Sequence, residues 1–211
     1  SNDGGAGVSL DGGQTWSTLN NQPTQEIYRV SVDSRWPYWV YGAQQDNSSV
    51  AVPSTNVGQP NLNAGPGEAG YLAVDPRNYN IVYAGNYGGT LQRADGVTGI
   101  SESVRVYADE ETGQRAADMK YRFQWNAPIR LSPSNPDIVY TTSQYVHRSK
   151  DNGQNWERIS PDLTRNDKKT QNYSGGEGVT RDSTGVEVYA TIFAFEESSV
   201  TPGLFWAGSD D

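Results

Sequence analysis

The stretch SLDGGQTW, from Ser9 to Trp16, recurs as SKDNGQNW, from Ser149 to Trp156, so both copies fit Ser-x-Asp-x-Gly-x-x-Trp. The motif is typical of a tight hairpin turn. The Asp carboxylate can accept backbone N–H groups within the turn, and the Gly can adopt backbone angles that other residues avoid. We predict that each Trp begins the next strand and buries a large ring. The fixed positions are Ser9, Asp11, Gly13 and Trp16 in the first turn motif, and Ser149, Asp151, Gly153 and Trp156 in the second turn motif.

A longer repeat surrounds these turns. Val74–Tyr83 matches Leu131–Tyr140, Val32–Tyr41 is a third copy, and Leu204–Gly208 resembles the second half of a fourth. Each complete copy reads as an apolar strand, a turn containing Pro and a second, β-branched and aromatic strand that contains the Tyr. Repeats at this period predict a β-propeller or a similar radial array.

The repeats divide the chain into four-stranded units, numbered with the innermost strand first. We expect complete blades over about 26–66, 70–108 and 121–160, with half blades over 1–22 and 186–211. The chain is then either an excerpt of a larger propeller of about seven or more blades, which we favour, or a four-bladed ring closed by its end halves. The predicted strands are Val8–Ser9, Trp16–Leu19, Tyr28–Asp33, Trp39–Ala43, Ser49–Pro53, Tyr71–Asp75, Ile81–Gly85, Thr90–Arg93, Ser103–Tyr107, Ala127–Ser132, Ile138–Thr142, Tyr145–Ser149, Trp156–Ile159, Val186–Phe195 and Leu204–Gly208.

Three long irregular stretches, 54–70, 108–121 and 161–185, interrupt this pattern. Insertions of this length in a compact domain are usually functional loops or disordered surface. Abundant turn residues, 23 Gly and 11 Pro among 211 residues, together with thirteen Tyr and six Trp, favour an all-β protein with little helix.

Composition also narrows the chemistry. The net charge of −9 argues against a nucleic-acid partner, which needs a basic face. The absence of Cys excludes thiolate chemistry, and no apolar run is long enough to predict a membrane span. His147, the single His, is expected on a strand surface, which argues against a catalytic triad and a histidine-rich zinc site. We therefore expect neither a metal nor a cofactor.

Several strings go beyond generic turn sequence. With the turn motifs they resemble the Asp-box, or bacterial-neuraminidase (BNR) repeat, of the large exported bacterial proteins described as sortilin-like or BNR-repeat glycosyl hydrolases. The resemblance implies a propeller of four-stranded antiparallel blades, a secreted, periplasmic or cell-surface location, and a longer parent chain. The strings are Tyr41–Asn47, Gly67–Tyr71, Tyr121–Asn126, Ile159–Thr164 and Leu204–Asp211.

Polar residues that precede the predicted inner strands are the candidate site. Glu68 and Glu187 are weak candidates for a catalytic acid and base in glycoside hydrolysis, and the alternative is that each accepts backbone hydrogen bonds. Glu68, Arg122 and Glu187 are expected to share one face at the channel entrance, where Arg122 would keep both acids ionised. The candidate ligand-binding residues are Gln45, Asp46, Arg122, Gln124 and Trp125. For Gln45 and Asp46, which end a second strand, the alternative is a polar turn. For the others the alternative is that Trp125 packs in the core between blades and Arg122 bridges to a carboxylate such as Glu68.

Two functions follow from this arrangement. The first is an exported binding, interaction or structural module of a larger protein or assembly, with a carbohydrate, another protein or the rest of its own chain as partner. The second is a glycoside hydrolase acting on a polysaccharide in the channel. Acids that are tied to backbone or to Arg122 would favour the first function.

Overall fold

The computed structural model describes residues 5–18, 26–55, 62–68, 70–109, 111–175 and 187–211. Within these ranges the chain forms fourteen strands and no helix, as the sequence predicts. The strands are β1 (Ile27–Val32), β2 (Trp39–Gln44), β3 (Ser49–Pro53), β4 (Leu62–Gly65), β5 (Leu72–Val74), β6 (Ile81–Asn86), β7 (Thr90–Asp95), β8 (Ser101–Ser103), β9 (Ile129–Leu131), β10 (Val139–Thr142), β11 (Val146–Ser149), β12 (Glu157–Arg158), β13 (Ile192–Glu197) and β14 (Phe205–Ser209).

These strands form sheets in which neighbours in sequence are neighbours in space. Sheet I has the order β1-β2-β3-β4, sheet II β5-β6-β7-β8, sheet III β9-β10-β11-β12 and sheet IV β13-β14. All the pairings are antiparallel. The prediction of four-stranded antiparallel units is confirmed for sheets I to III.

Short polar side chains set the turn between the first two strands of each complete sheet. The Asp33 carboxylate accepts Trp39 N at 2.9 Å, and the Asp75 carboxylate accepts Arg77 N at 2.8 Å. Ser132 Oγ accepts Ser134 N at 3.3 Å in the third sheet. Such Asx and Ser turns satisfy backbone donors where the strand ends.

Most predicted strands agree with the structure to within one or two residues. Val8–Ser9 and the described part of Trp16–Leu19 form no strand, and the strand predicted over 186–195 begins only at Ile192, after Ala190 with its φ of 62°. Two further predictions, over 54–70 and 103–107, are also wrong. Residues 54–70 were predicted to be irregular, but β4 lies within them. Its Asn- and Gly-rich sequence reads as a turn, yet as an edge strand it pairs with β3 across a bulge. The strand predicted over 103–107 lies instead at 101–103, because the turn closed by Asp95 N and Ile100 O at 2.9 Å starts β8 early. Parts of the stretch predicted over 161–185 and of both half blades lie outside the described residues.

The core lies between successive sheets. Tyr41, Tyr83 and Tyr140 occupy the same position in the three complete repeats, and all three are buried. Tyr41 packs against sheet II, Tyr83 against sheet III and Tyr140 against sheet IV. The repeated Tyr is therefore the residue by which each sheet packs on the next.

The first strands of the sheets approach one another. The Arg29 guanidinium of β1 lies 5.2 Å from the ring centroid of Tyr71, just before β5, and 5.3 Å from that of Phe193 in β13. The Arg130 guanidinium of β9 lies 4.4 Å from the Tyr71 centroid, and its Nε is 2.7 Å from Glu196 Oε2. All four sheets thus contribute to this inner cluster, which we define as Arg29, Tyr71, Arg130, Phe193 and Glu196.

The two turn motifs have the same internal geometry. In the second, Ser149 Oγ donates to Asp151 Oδ1 at 2.8 Å, and Gly153 N donates to Ser149 Oγ at 2.8 Å. In the first, the equivalent distances from Ser9 to Asp11 and from Gly13 to Ser9 are 2.8 and 2.7 Å. Both Gly13 and Gly153 have a φ of 90°, which glycine adopts without steric strain.

Hydrogen bonds from the residue four positions on stabilise the Asp carboxylate in each motif. Thr15 donates to Asp11 from its hydroxyl and its backbone N–H, and these bonds, with that from Ser9, lower the pKa of Asp11 to about 2. Asn155 donates to Asp151 in the same way and lowers its pKa. The predicted turn chemistry is therefore present in both copies.

The two Trp side chains differ. Trp156 is partly buried against the core between sheets II and III, and its Nε1 donates to Val104 O at 2.8 Å. Trp16 is 66 % exposed, and its Nε1 donates back to Gly13 O at 3.1 Å, within its own turn. The second motif joins β11 to β12 as predicted, whereas residues 8–18 form no strand. Burial of Trp16 was wrong because no described neighbouring sheet covers the first motif as sheet II covers the second.

Replacing each motif Trp with Ala distinguishes the stability that comes from packing on another sheet from the stability of the turn itself. Trp156→Ala is expected to lower the free energy of unfolding by about 2–3 kcal/mol, since it removes a partly buried ring and a hydrogen bond to Val104 O. Trp16→Ala should change it by less than about 0.5 kcal/mol. Urea denaturation followed by circular dichroism measures both, and similar losses in the two variants would contradict this difference.

Candidate ligand-binding surface

Antiparallel sheet order places two kinds of connection at the same end of each sheet. These are the segments that precede each first strand and the turns that join second and third strands. We call this end of the molecule the loop end. It carries Gln45 and Asp46 after β2, Glu68 before β5, Arg122 to Trp125 before β9 and Glu187 before β13.

Three aromatic rings meet at the loop end of sheets I to III. The Trp125 ring centroid lies 6.1 Å from that of Tyr28 in β1 and 5.8 Å from that of Tyr87 in the β6–β7 turn. The Tyr87 ring is 42 % exposed. These rings therefore form a partly open aromatic surface supplied by three separate sheets.

Polar groups border the rings. The Tyr28 hydroxyl donates to Gln45 Oε1, and Glu68 Oε2 accepts Asp46 N at 2.7 Å. Burial raises the pKa of the Tyr28 hydroxyl, and the carboxylates of Glu26, Asp46 and Glu68 raise it further. We call Tyr28, Gln45, Asp46, Glu68, Tyr87 and Trp125 the aromatic–carboxylate cluster.

Two buried polar atoms beside the rings lack a hydrogen-bond partner among the described residues. They are Trp125 Nε1, a donor, and Asn126 Oδ1, an acceptor. A buried group without its partner costs about 1–3 kcal/mol, so this corner of the cluster is locally less stable.

Arg122 lies deeper and pairs with other residues than those predicted. Its side chain is buried; Nε donates to Ala190 O at 2.9 Å, and Nη2 donates to Asp162 Oδ2 and Thr164 Oγ1, both at 3.2 Å. Burial raises the pKa of Asp162, but the hydrogen bonds from Thr164 and Arg122 outweigh it and hold that pKa below its usual range. The alternative that Arg122 bridges to a carboxylate is therefore present, with Asp162 as its partner.

The remaining predicted residues have local contacts. Glu187 Oε2 accepts the Ser174 hydroxyl at 3.2 Å, and Gln124 Oε1 accepts Asn126 N two residues along the chain. The structure thus brings Gln45, Asp46, Glu68 and Trp125 together, whereas Gln124 stabilises its own loop.

His147 is in a strand, β11, but its predicted surface position is wrong. Its ring is 1 % exposed, lies 4.8 Å from the Tyr121 ring and stacks at 5.9 Å on Phe123. Burial, with the nearby charge of Arg158, lowers its pKa to about 4. Its Nε2 lies 2.8 Å from the buried Ser143 Oγ. This Ser–His pair is enclosed in the core, where no substrate reaches it.

Sequence reasoning missed Tyr28 and Tyr87. Tyr28 lies near the start of β1 and Tyr87 lies in the β6–β7 turn, so both are at the loop end. The available signal was an aromatic residue in or next to a loop in each of two adjacent units. It also missed the inner cluster, whose signal was Arg29 and Tyr71, each four residues before the Asp that ends a first strand.

In the described ranges, no three His, Cys, Asp or Glu side chains are grouped so that they could hold a metal ion. The same ranges contain no helix with the length and hydropathy needed to cross a membrane. No protein-family model matches the sequence, and no curated protein matches it.

Proposed function

We propose that the chain is part of a β-propeller that acts as an exported binding or interaction module, with its ligand at the loop end. Sheets I to III would be blades and sheet IV part of a fourth. The inner cluster supports the radial arrangement, because residues in or directly before the first strands of all four sheets supply it. The second turn motif joins the last two strands of sheet III, where the Asp-box resemblance places such a turn.

The inner cluster supports a ligand position at the loop end. Side chains of Arg29, Tyr71, Arg130 and Phe193 occupy the region where the first strands converge, and Tyr71 is buried there. A ligand is better accommodated at the loop end, where Tyr87 and Asp46 are exposed. The observation that carries the proposal is therefore the aromatic–carboxylate cluster, since rings with a few fixed polar groups form typical ligand sites.

The acid contacts favour binding over hydrolysis. Glu68 accepts the backbone N–H of Asp46, and Arg122 is paired with Asp162. An acid whose oxygen already accepts a backbone N–H serves as a fixed hydrogen-bond acceptor, and this contact supports a binding role. We propose carbohydrate as the ligand class, because a flat indole face stacks on a sugar ring while Gln45 and Glu68 are available for hydroxyls.

Affinity electrophoresis against a panel of soluble neutral, acidic and basic polysaccharides tests this function. Trp125→Ala is expected to weaken binding at least tenfold, as removal of a central aromatic group at a binding site does. Trp36→Ala is the matched control, since Trp36 is exposed in the β1–β2 turn at the opposite end of sheet I. Equal affinities of the two variants, or no binding by the parent protein, would reject carbohydrate binding at the loop end.

A further inference from the structure

A second group of rings lies at the loop end, partly on the segment that carries Trp125. The Tyr107 ring centroid is 5.8 Å from that of Tyr121, and the Tyr121 centroid is 6.0 Å from that of Tyr145. Tyr107 follows β8, Tyr121 precedes β9 and Tyr145 lies in the turn between β10 and β11. Sheets II and III therefore supply a continuous row of three rings, which we call the tyrosine row.

One cation lies near each end of the tyrosine row. Lys120 Nζ is 3.9 Å from the Tyr107 ring centroid and 5.2 Å from that of Tyr121. The Arg158 guanidinium is 4.6 Å from the Tyr145 centroid. Both side chains are exposed, and neither forms an ion pair within the described part of the chain. The rings thus hold two charged groups in place by cation–π attraction, and no protein carboxylate neutralises them.

The tyrosine row rests on a buried residue and keeps its polar groups unpaired. The His147 ring centroid lies 4.8 Å from that of Tyr121 and 6.4 Å from that of Tyr145, and His147 is buried. Tyr107 is 39 % exposed, and the other two rings are partly buried. None of the three phenol hydroxyls bonds to a protein group among the described residues, and none is an enclosed atom without a partner. The hydroxyls are therefore accessible to a ligand from solvent.

These groups fit a chain of sugars that carries negative charges. Phenol hydroxyls donate to and accept from sugar hydroxyls, and the two cations attract carboxylate or sulfate groups. Adjacent rings are nearly perpendicular, at 87°, so they do not form the parallel platform on which successive nucleic-acid bases stack. Extending the proposed carbohydrate binding, on which this inference rests, we propose that the tyrosine row binds an anionic polysaccharide, with Lys120 and Arg158 contacting its acidic groups.

Matched pairs of probes isolate the charge. Oligogalacturonides with free carboxylates and the same oligosaccharides as methyl esters share length and linkage, and only the first are charged. Isothermal titration calorimetry is expected to show at least about tenfold tighter binding of the free acid, and this preference should weaken as salt rises. Dextran sulfate and dextran repeat the comparison with sulfate as the anion. A preference for the charged member of either pair supports the proposal, and its absence from both pairs overturns it.

Replacing the cations tests the assignment within the protein. Lys120→Gln and Arg158→Gln should each weaken binding of the free acid about three- to fivefold and leave binding of the methyl ester unchanged. Arg158→Lys keeps the charge and should retain most of the affinity. Lys150→Gln makes the same change in net charge on an exposed side chain in the second turn motif, at the opposite end of sheet III, and should have no effect. Equal losses in Lys150→Gln and in the two row variants would overturn the proposal.

The remaining outcomes separate this inference from the proposed function. If neutral saccharides bind through Trp125 and the row variants change nothing, the anionic preference is wrong and the proposed function stands. If anionic oligosaccharides bind through the tyrosine row and Trp125→Ala has no effect, this inference stands and the site proposed above is wrong. Oligothymidylate or poly-glutamate that binds as tightly as the free acid would overturn the assignment to a saccharide. If no saccharide binds, both proposals fail.

Discussion

Arg122→Ala is expected to lower the free energy of unfolding by about 3–5 kcal/mol, because the mutation removes one partner of a buried ion pair. The side chain is 2 % exposed and joins three acceptors, Ala190 O, Asp162 and Thr164. These acceptors belong to the connection between β12 and β13, whereas Arg122 precedes β9. Its loss would leave the Asp162 carboxylate without its cation and release that connection from sheet III. Urea denaturation measures the change.

Two variants make the Arg122 result interpretable. Arg115→Ala removes an exposed arginine whose Nε lies 2.6 Å from Asp118 Oδ2, and it should cost less than about 1 kcal/mol. Arg122→Lys keeps the charge but loses the planar fork, so it should not restore full stability. A loss below about 1 kcal/mol for Arg122→Ala would contradict a stabilising role for this network.

Local patterns in the sequence determine much of the fold. The Asp-to-Gly spacing of both turn motifs fixes the same set of hydrogen bonds wherever the motif occurs, because every partner lies within six residues. The continuous β-branched and aromatic runs around Tyr41, Tyr83 and Tyr140 likewise indicate buried second strands. Short-range chemistry of this kind is independent of what packs alongside.

Packing between sheets could not be predicted in the same way. Trp16 and Trp156 have equivalent positions in one motif, yet only Trp156 is covered by another sheet and donates to Val104 O, 52 residues away. His147 reads as a surface residue in β11, but Tyr121 and Phe123, from the long connection before β9, cover it. In both positions a distant segment decides the burial.

The candidate site shows the same limit. Polar residues before first strands indicated Glu68 and Trp125, and those after a second strand indicated Gln45 and Asp46; the structure brings these together. Arg122 was expected beside Glu68 and Glu187, but it pairs with Asp162. Asp162 lies 40 residues away, in a connection without a periodic pattern, so the sequence did not indicate this partner. Sequence position therefore indicates which end of the sheets a residue occupies, whereas its partner depends on how the long connections fold over that end.

Tyr83→Ala is expected to lower the free energy of unfolding by about 3–5 kcal/mol, the range for removing a fully buried aromatic ring. Tyr83 is 0 % exposed and packs between sheets II and III with Ile129 and Val139. The cavity would lie where two rigid sheets meet, so neighbouring side chains could fill little of it. Urea and thermal denaturation should both show the loss.

Trp206 provides the matched control for Tyr83, because Leu204–Gly208 aligns with Ile81–Gly85 and places Trp206 at the Tyr83 position. Its ring is 58 % exposed, since no described sheet follows sheet IV. Trp206→Ala should therefore cost less than about 1 kcal/mol, although it removes the larger ring. Equal losses at the two positions would mean that the repeated aromatic stabilises its own strand, and that packing of one sheet on the next is not what stabilises the fold.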